Sequence, residues 1–99
     1  MSFSKIVGLA FSLNIMAFEA QAITITLINN DSFGNEITVT DRVCNKVIFQ
    51  GYIPEWGEKI LNNVCESSGG YGNISVFNKE SGRDNGYTLL KDGDEVKGW

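Results

Sequence analysis

The sequence predicts an all-β domain, a small antiparallel β-sandwich or barrel of six to seven strands held by one disulfide. Three observations predict it. Apolar residues recur with a period of two, and no stretch beyond the first residues carries the 3.6 period of an amphipathic helix. Turn chemistry interrupts the chain at short intervals, as it does in sandwiches and barrels. Two cysteines stand in a chain small enough to need a staple.

The 99 residues allow one domain. Residues 1–22 read as a secretory signal. Lys5 supplies a positive n-region, IVGLAFSLNIMAF is an apolar h-region too short to span a bilayer, and Ala20-Gln21-Ala22 fits a small-x-small cleavage site. The β domain is then residues 23–99, and no later apolar run is long enough for a membrane helix. ITITLI places Ile23, Ile25 and Leu27 on one face, and Asn29-Asn30-Asp31-Ser32 turns the chain. EITVTDRV alternates again, with Ile37, Val39 and Asp41 in line. NKVIFQG is a β-branched and aromatic run ended by Gly51. The stretch from Ile53 to Glu58 reads as a loop, since it holds the chain's one proline and Gly57. KILNNVC is a strand ending at Cys65. SSGGYGN follows, then the strand NISVFN, a polar loop ESGRDNG and the strand YTLLK. Asp92-Gly93 is a hairpin dipeptide, with Glu95-Val96-Lys97 closing the sheet. The expected core is Ile25, Leu27, Val39, Val47, Phe49, Ile60, Val64, Ile74, Val76 and Leu89.

A secreted route lets Cys44 and Cys65 pair, and closing about twenty residues of loop contributes ~3 kcal/mol in the chain-entropy model. Two cysteines without any histidine make a poor zinc set, so no metal site is expected. The three glycines of SSGGYGN raise the question of a phosphate cradle. That device needs a helix N-terminus after the glycines. Here a strand follows, so the glycines reverse the chain.

Composition narrows the function mainly by exclusion. The net charge is −4, from eight Lys/Arg and twelve Asp/Glu, and removing residues 1–22 takes away only Lys5 and Glu19. The remaining basic residues are scattered singly, which argues against nucleic acid and against an anionic membrane surface. The absence of histidine removes the commonest general base and every Ser-His-Asp arrangement. Glu55 with Glu58 or Glu66 is the carboxylate pair left for a glycosidase, but eleven acids on a small surface pair by chance. No catalytic residue and no cofactor are expected. Asp92, Asp94 and Glu95 form an oxygen-rich turn that does not fit an EF-hand loop; a solubilising hairpin is the favoured reading over calcium.

The candidate binding residues are aromatic, because rigid rings give contact area at little entropic cost. Tyr52 and Trp56 flank the IPEWG loop, and Tyr71 sits among glycine, serine and asparagine. Trp56 divides evenly between a plug for the open end of the sandwich and a contact. Tyr71 reads as a contact, and Trp99 reads as packing.

The stretch CNKVIFQGYIPEWGEKILNNVCESSGGYGNISVFN, a cysteine, a V-F-x-G strand, a second cysteine and a GYGxIxV strand, resembles the small secreted β-sandwich proteins of plant-associated fungi. These are of the effector and elicitor kind. The resemblance covers about a third of the chain and transfers no site residue. It implies a role at a host interface through binding. The expected function is thus a secreted, non-catalytic interaction protein, extracellular, or periplasmic in a Gram-negative source. Its partner is an extracellular or host protein. The alternative is a small carbohydrate-binding module with a glycan as ligand.

Overall fold

The structure, a computed structural model, describes residues 22–99. The expected signal segment lies outside the described residues except for Ala22, which opens the first strand. Seven strands follow in order: β1 (Ala22–Ile28), β2 (Asn35–Asp41), β3 (Lys46–Ile53), β4 (Glu58–Cys65), β5 (Gly72–Asn78), β6 (Arg83–Leu90) and β7 (Glu95–Lys97). They form two sheets, β4-β1-β7 and β3-β2-β5-β6. Every neighbouring pair is antiparallel except β1 and β7, which run parallel. The domain is all-β, and no helix among the described residues is long and apolar enough to cross a membrane.

The central strands explain the core. Ile23, Ile25 and Leu27 of β1, Ile37 and Val39 of β2, and Ile74 and Val76 of β5 are buried, while the hydroxyl residues between them are only half-buried. Strict alternation therefore turns one face of each sheet onto the other. Burying each such aliphatic side chain contributes roughly 1.5–3 kcal/mol. Phe49 packs half-buried against this core, with the Lys59 ammonium 5.4 Å from its ring centroid. That contact bridges β3 and β4, which are edges of different sheets.

Three expected core residues are instead more than half exposed: Val47, Ile60 and Leu89. Each lies beside a β-bulge. Val39 pairs with Phe49 but Thr40 with Val47, so Ile48 is extra. Ile23 pairs with Val64 but Ile25 with Leu61, so β4 gains a residue around Asn62 and Asn63. Gly72 pairs with Leu90 but Ile74 with Tyr87, so β6 gains one around Thr88 and Leu89. Each bulge moves the alternation by one, and Leu61 and Leu90 take the buried places expected of Ile60 and Leu89.

Other boundaries also shift. Ile53, expected in a loop, ends β3 and is buried. β6 begins at Arg83, inside the stretch expected to be loop. The Asp92-Gly93 turn does not make a hairpin within one sheet. It carries the chain from β6 across to β7, and is held to β1 by Gly93 N–H donating to Thr24 O (2.7 Å) and Thr26 N–H donating to Asp94 O (3.0 Å).

The disulfide joins the sheets. Cys44 lies in the turn between β2 and β3, Cys65 ends β4, and their Cα atoms are 6.0 Å apart. Asp41, the fully buried last residue of β2, bolts the same junction. Its Oδ1 accepts from the N–H groups of Val43 (3.0 Å) and Cys44 (3.1 Å), and its Oδ2 accepts from that of Cys65 (2.8 Å). The SSGGYGN stretch turns as expected. Ser67 N–H donates to Tyr71 O, Gly70 N–H donates to Ser67 O, and Gly70 takes φ +90°, which a side chain would resist.

Candidate recognition site

Successive strands alternate in direction, which sorts the connections between two ends. Residues 42–45, 66–71 and 91–94 lie at the disulfide end. Residues 29–34, 54–57, 79–82 and 98–99 gather at the other. Asn29, just past β1, organises that second end from a buried position. Its Nδ2 donates to the carbonyls of Phe33 (2.9 Å), Ile53 (3.1 Å) and Pro54 (3.1 Å). Its Oδ1 accepts from Asp31 N–H (3.1 Å) and Asn35 Nδ2 (3.3 Å). One amide so fixes both the β1–β2 loop and the β3–β4 turn.

Tyr52 and Trp56 stand at this end, 63% and 64% exposed. The Tyr52 ring lies over Gly34, where any Cβ would collide with it. The close approach explains a glycine at that position. Trp56 sits at φ 58° in a turn closed by Gly57 N–H donating to Pro54 O (2.9 Å), and Gly57 O in turn accepts from Asn29 N–H (2.9 Å). Trp56 is therefore displayed by its turn and does not plug the sandwich. Trp99, in contrast, is buried against the core, as its packing reading requires. Tyr71 is 39% exposed and lies at the disulfide end. β4, eight residues and about 25 Å long at ~3.3 Å per residue, separates it from Trp56. The three aromatic candidates therefore cannot form one surface.

Beside Tyr52, between the β1–β2 loop and the β5–β6 turn, is a cleft of about 490 Å³. Phe33 and Trp99 give it apolar walls, Asn35 and Asn78 are its buried amides, and Asp31, Glu80 and Arg83 carry its charge. Its charged lining is two acids and a single cation. Glu80 Oε1 accepts from Glu36 N–H (3.0 Å), while the Arg83 guanidinium has no ion-pair partner among the described residues. Sequence reasoning did not single out these residues as a site. One signal was present: Phe33 is a large ring inside the polar run NNDSFGN, the same pattern that drew attention to Tyr71.

The acidic candidates separate. Glu55 and Glu58 are exposed at the Trp56 end, and Glu66 lies past β4 at the other, so Glu66 pairs with neither. Asp92 Oδ1 accepts from Thr24 N–H (2.8 Å), Asp94 Oδ2 accepts from Lys91 N–H (2.8 Å), and Glu95 pairs with Lys97 at 3.9 Å. The Asp92 and Asp94 carboxylates build the cross-sheet turn, and Glu95 makes only a surface ion pair. Among the described residues, Asp41, Cys44 and Cys65 cluster within 4.8 Å, but the two sulfurs are joined and both carboxylate oxygens hold backbone N–H groups. The cluster is structural. No family model, curated protein or solved structure matches the chain.

Proposed function

We propose that this chain is a secreted, non-catalytic interaction protein acting at a host or competitor interface, with an extracellular protein as its partner. The observation that carries the reading is the display of Tyr52 and Trp56 at one end of a stapled sandwich. Each is nearly two-thirds exposed, although burial of either ring would contribute to so small a core. Exposed Tyr and Trp dominate the energetics of many protein contacts. The turn holding Trp56 is tied through Gly57 and Asn29 to β1, so the ring is presented with little ordering left to lose on binding. A disulfide in a small domain is consistent with an oxidising, extracellular compartment. The signal-like residues 1–22 support the same route.

Immobilised protein incubated with host extracellular extracts tests the proposal. Wild type should retain a partner, and Trp56→Ala should weaken its capture by at least about tenfold, ~1.4 kcal/mol, without lowering the melting temperature. A wild-type protein that retains nothing from several hosts, or a partner indifferent to both Tyr52→Ala and Trp56→Ala, would overturn it.

A further inference from the structure

We infer that the cleft between the β1–β2 loop and the β5–β6 turn binds a short segment of an uncharged glycan. The cleft is built and not incidental. Its volume of about 490 Å³ falls inside the range of roughly 300–1,000 Å³ typical of small-ligand sites. Three of its residues, Asn35, Asn78 and Trp99, are more than nine-tenths buried and still hold unused hydrogen-bonding capacity. Asn78 Oδ1 accepts from Glu80 and Ser81 N–H, but its Nδ2 has no partner among the described residues. Asn35 Nδ2 donates to Asn29, but its Oδ1 has none there either. The Trp99 indole N–H is buried without a partner. Asn78 Nδ2 and Asn35 Oδ1 are free to meet a ligand, and pairing them adds specificity, whereas the Trp99 indole N–H is sealed from solvent, so Trp99 offers the cleft its ring.

The mix of groups selects the ligand. A donor on Asn78 and an acceptor on Asn35 match hydroxyls, which donate and accept at once. The Phe33 and Trp99 rings offer apolar faces of negative quadrupole, suited to the weakly positive C–H faces of a pyranose. A phosphate or other anion would meet Asp31 and Glu80 against the single cation Arg83. A purely apolar ligand would bury the amides unpaired. An added peptide strand needs a regular sheet edge, and the cleft lies beyond the strand ends. The inference goes beyond the protein-contact reading and shares no residue with it, since Tyr52 and Trp56 lie outside the cleft lining.

Titration of ¹⁵N-labelled protein with the tetrasaccharides of chitin, cellulose, β-1,3-glucan and mannan, up to about 10 mM, reads the site directly. At least one should shift the Trp99 indole and Asn78 side-chain amide signals saturably. Trp56→Ala separates the two indole signals and should leave that affinity unchanged. Phe33→Ala and Arg83→Ala, both at exposed positions, should weaken it by at least about tenfold. Silence from all four sugars, shifts confined to Trp56, or shifts produced only by tetragalacturonate or inorganic phosphate would overturn the inference. Loss of protein capture in Trp56→Ala with sugar binding intact would support it and keep it distinct from the protein-contact reading.

Discussion

Leu89 shows how a single residue can be held against its preferences. It is an aliphatic side chain at φ 56° and two-thirds exposed, at the bulge of β6. The left-handed conformation costs an L-residue roughly 1–2 kcal/mol, and exposure returns nothing for it. Glycine removes that strain at the expense of greater freedom in the unfolded chain. Leu89→Gly should therefore leave stability unchanged or raise it by up to about 1 kcal/mol in urea melts; a loss above that would show the side chain packed. Tyr87 makes the opposite case two residues earlier. Burial against the core raises its hydroxyl above the ordinary tyrosine value, outweighing the Asn85 hydrogen bond and the Arg83 charge that lower it. The folded state then holds this proton more tightly than the unfolded chain does. Its contribution is fully present below about pH 10 and is lost as pH rises through the folded value. Tyr87→Phe should flatten the decline in stability on the alkaline side; an unchanged slope would remove Tyr87 as its source.

At the scale of elements, legibility followed regularity. β1, β2 and β5 alternate without interruption, and their buried faces could be read from ITITLI, EITVT and NISV. β3, β4 and β6 could be located but oriented only in part, with Val64 buried as expected and Ile60 not, because each takes in one extra residue that the partner strand does not match. A bulge is decided by pairing with a neighbour, and nothing in one strand's own sequence announces it. The cleft was illegible for a related reason: its residues come from the start of β2, the end of β5 and the chain near Trp99, which only the sheet order brings together. The bulges also have a common location. β3 and β6 are the edges of one sheet, β4 is an edge of the other, and the remaining edge, β7, is three residues long. Bulged and short edges resist pairing with another chain. The protein should sediment as a monomer up to millimolar concentration, and a concentration-dependent dimer would show that an edge is open after all.

Across the whole molecule, the two sheets are tied at opposite ends by different chemistry. At one end the Cys44–Cys65 bridge and the Asp41 carboxylate act on the same atoms' neighbours, since Asp41 accepts the N–H groups of both bridged residues. At the other end Asn29 joins the loops by neutral hydrogen bonds. β1, seven residues and about 20 Å long at ~3.3 Å per residue, lies between. Removing the bridge should cost about 2–5 kcal/mol, since it restores freedom to the unfolded chain and loosens the junction. Once loosened, the junction no longer presents Cys65 N–H to Asp41 in fixed geometry, so the carboxylate loses part of its own contribution. Asp41→Asn and Cys44→Ser should therefore be strongly non-additive, with an interaction energy of at least about 1 kcal/mol in urea denaturation. Asn29→Ala and Cys44→Ser act about 20 Å apart and should add within about 0.5 kcal/mol. The double-mutant cycles separate two pictures of the fold. Equal coupling in both would mean that the sandwich responds as one unit. Coupling confined to Asp41 means that the disulfide end can be weakened while the end of the sandwich bearing Tyr52, Trp56 and the cleft stays in place.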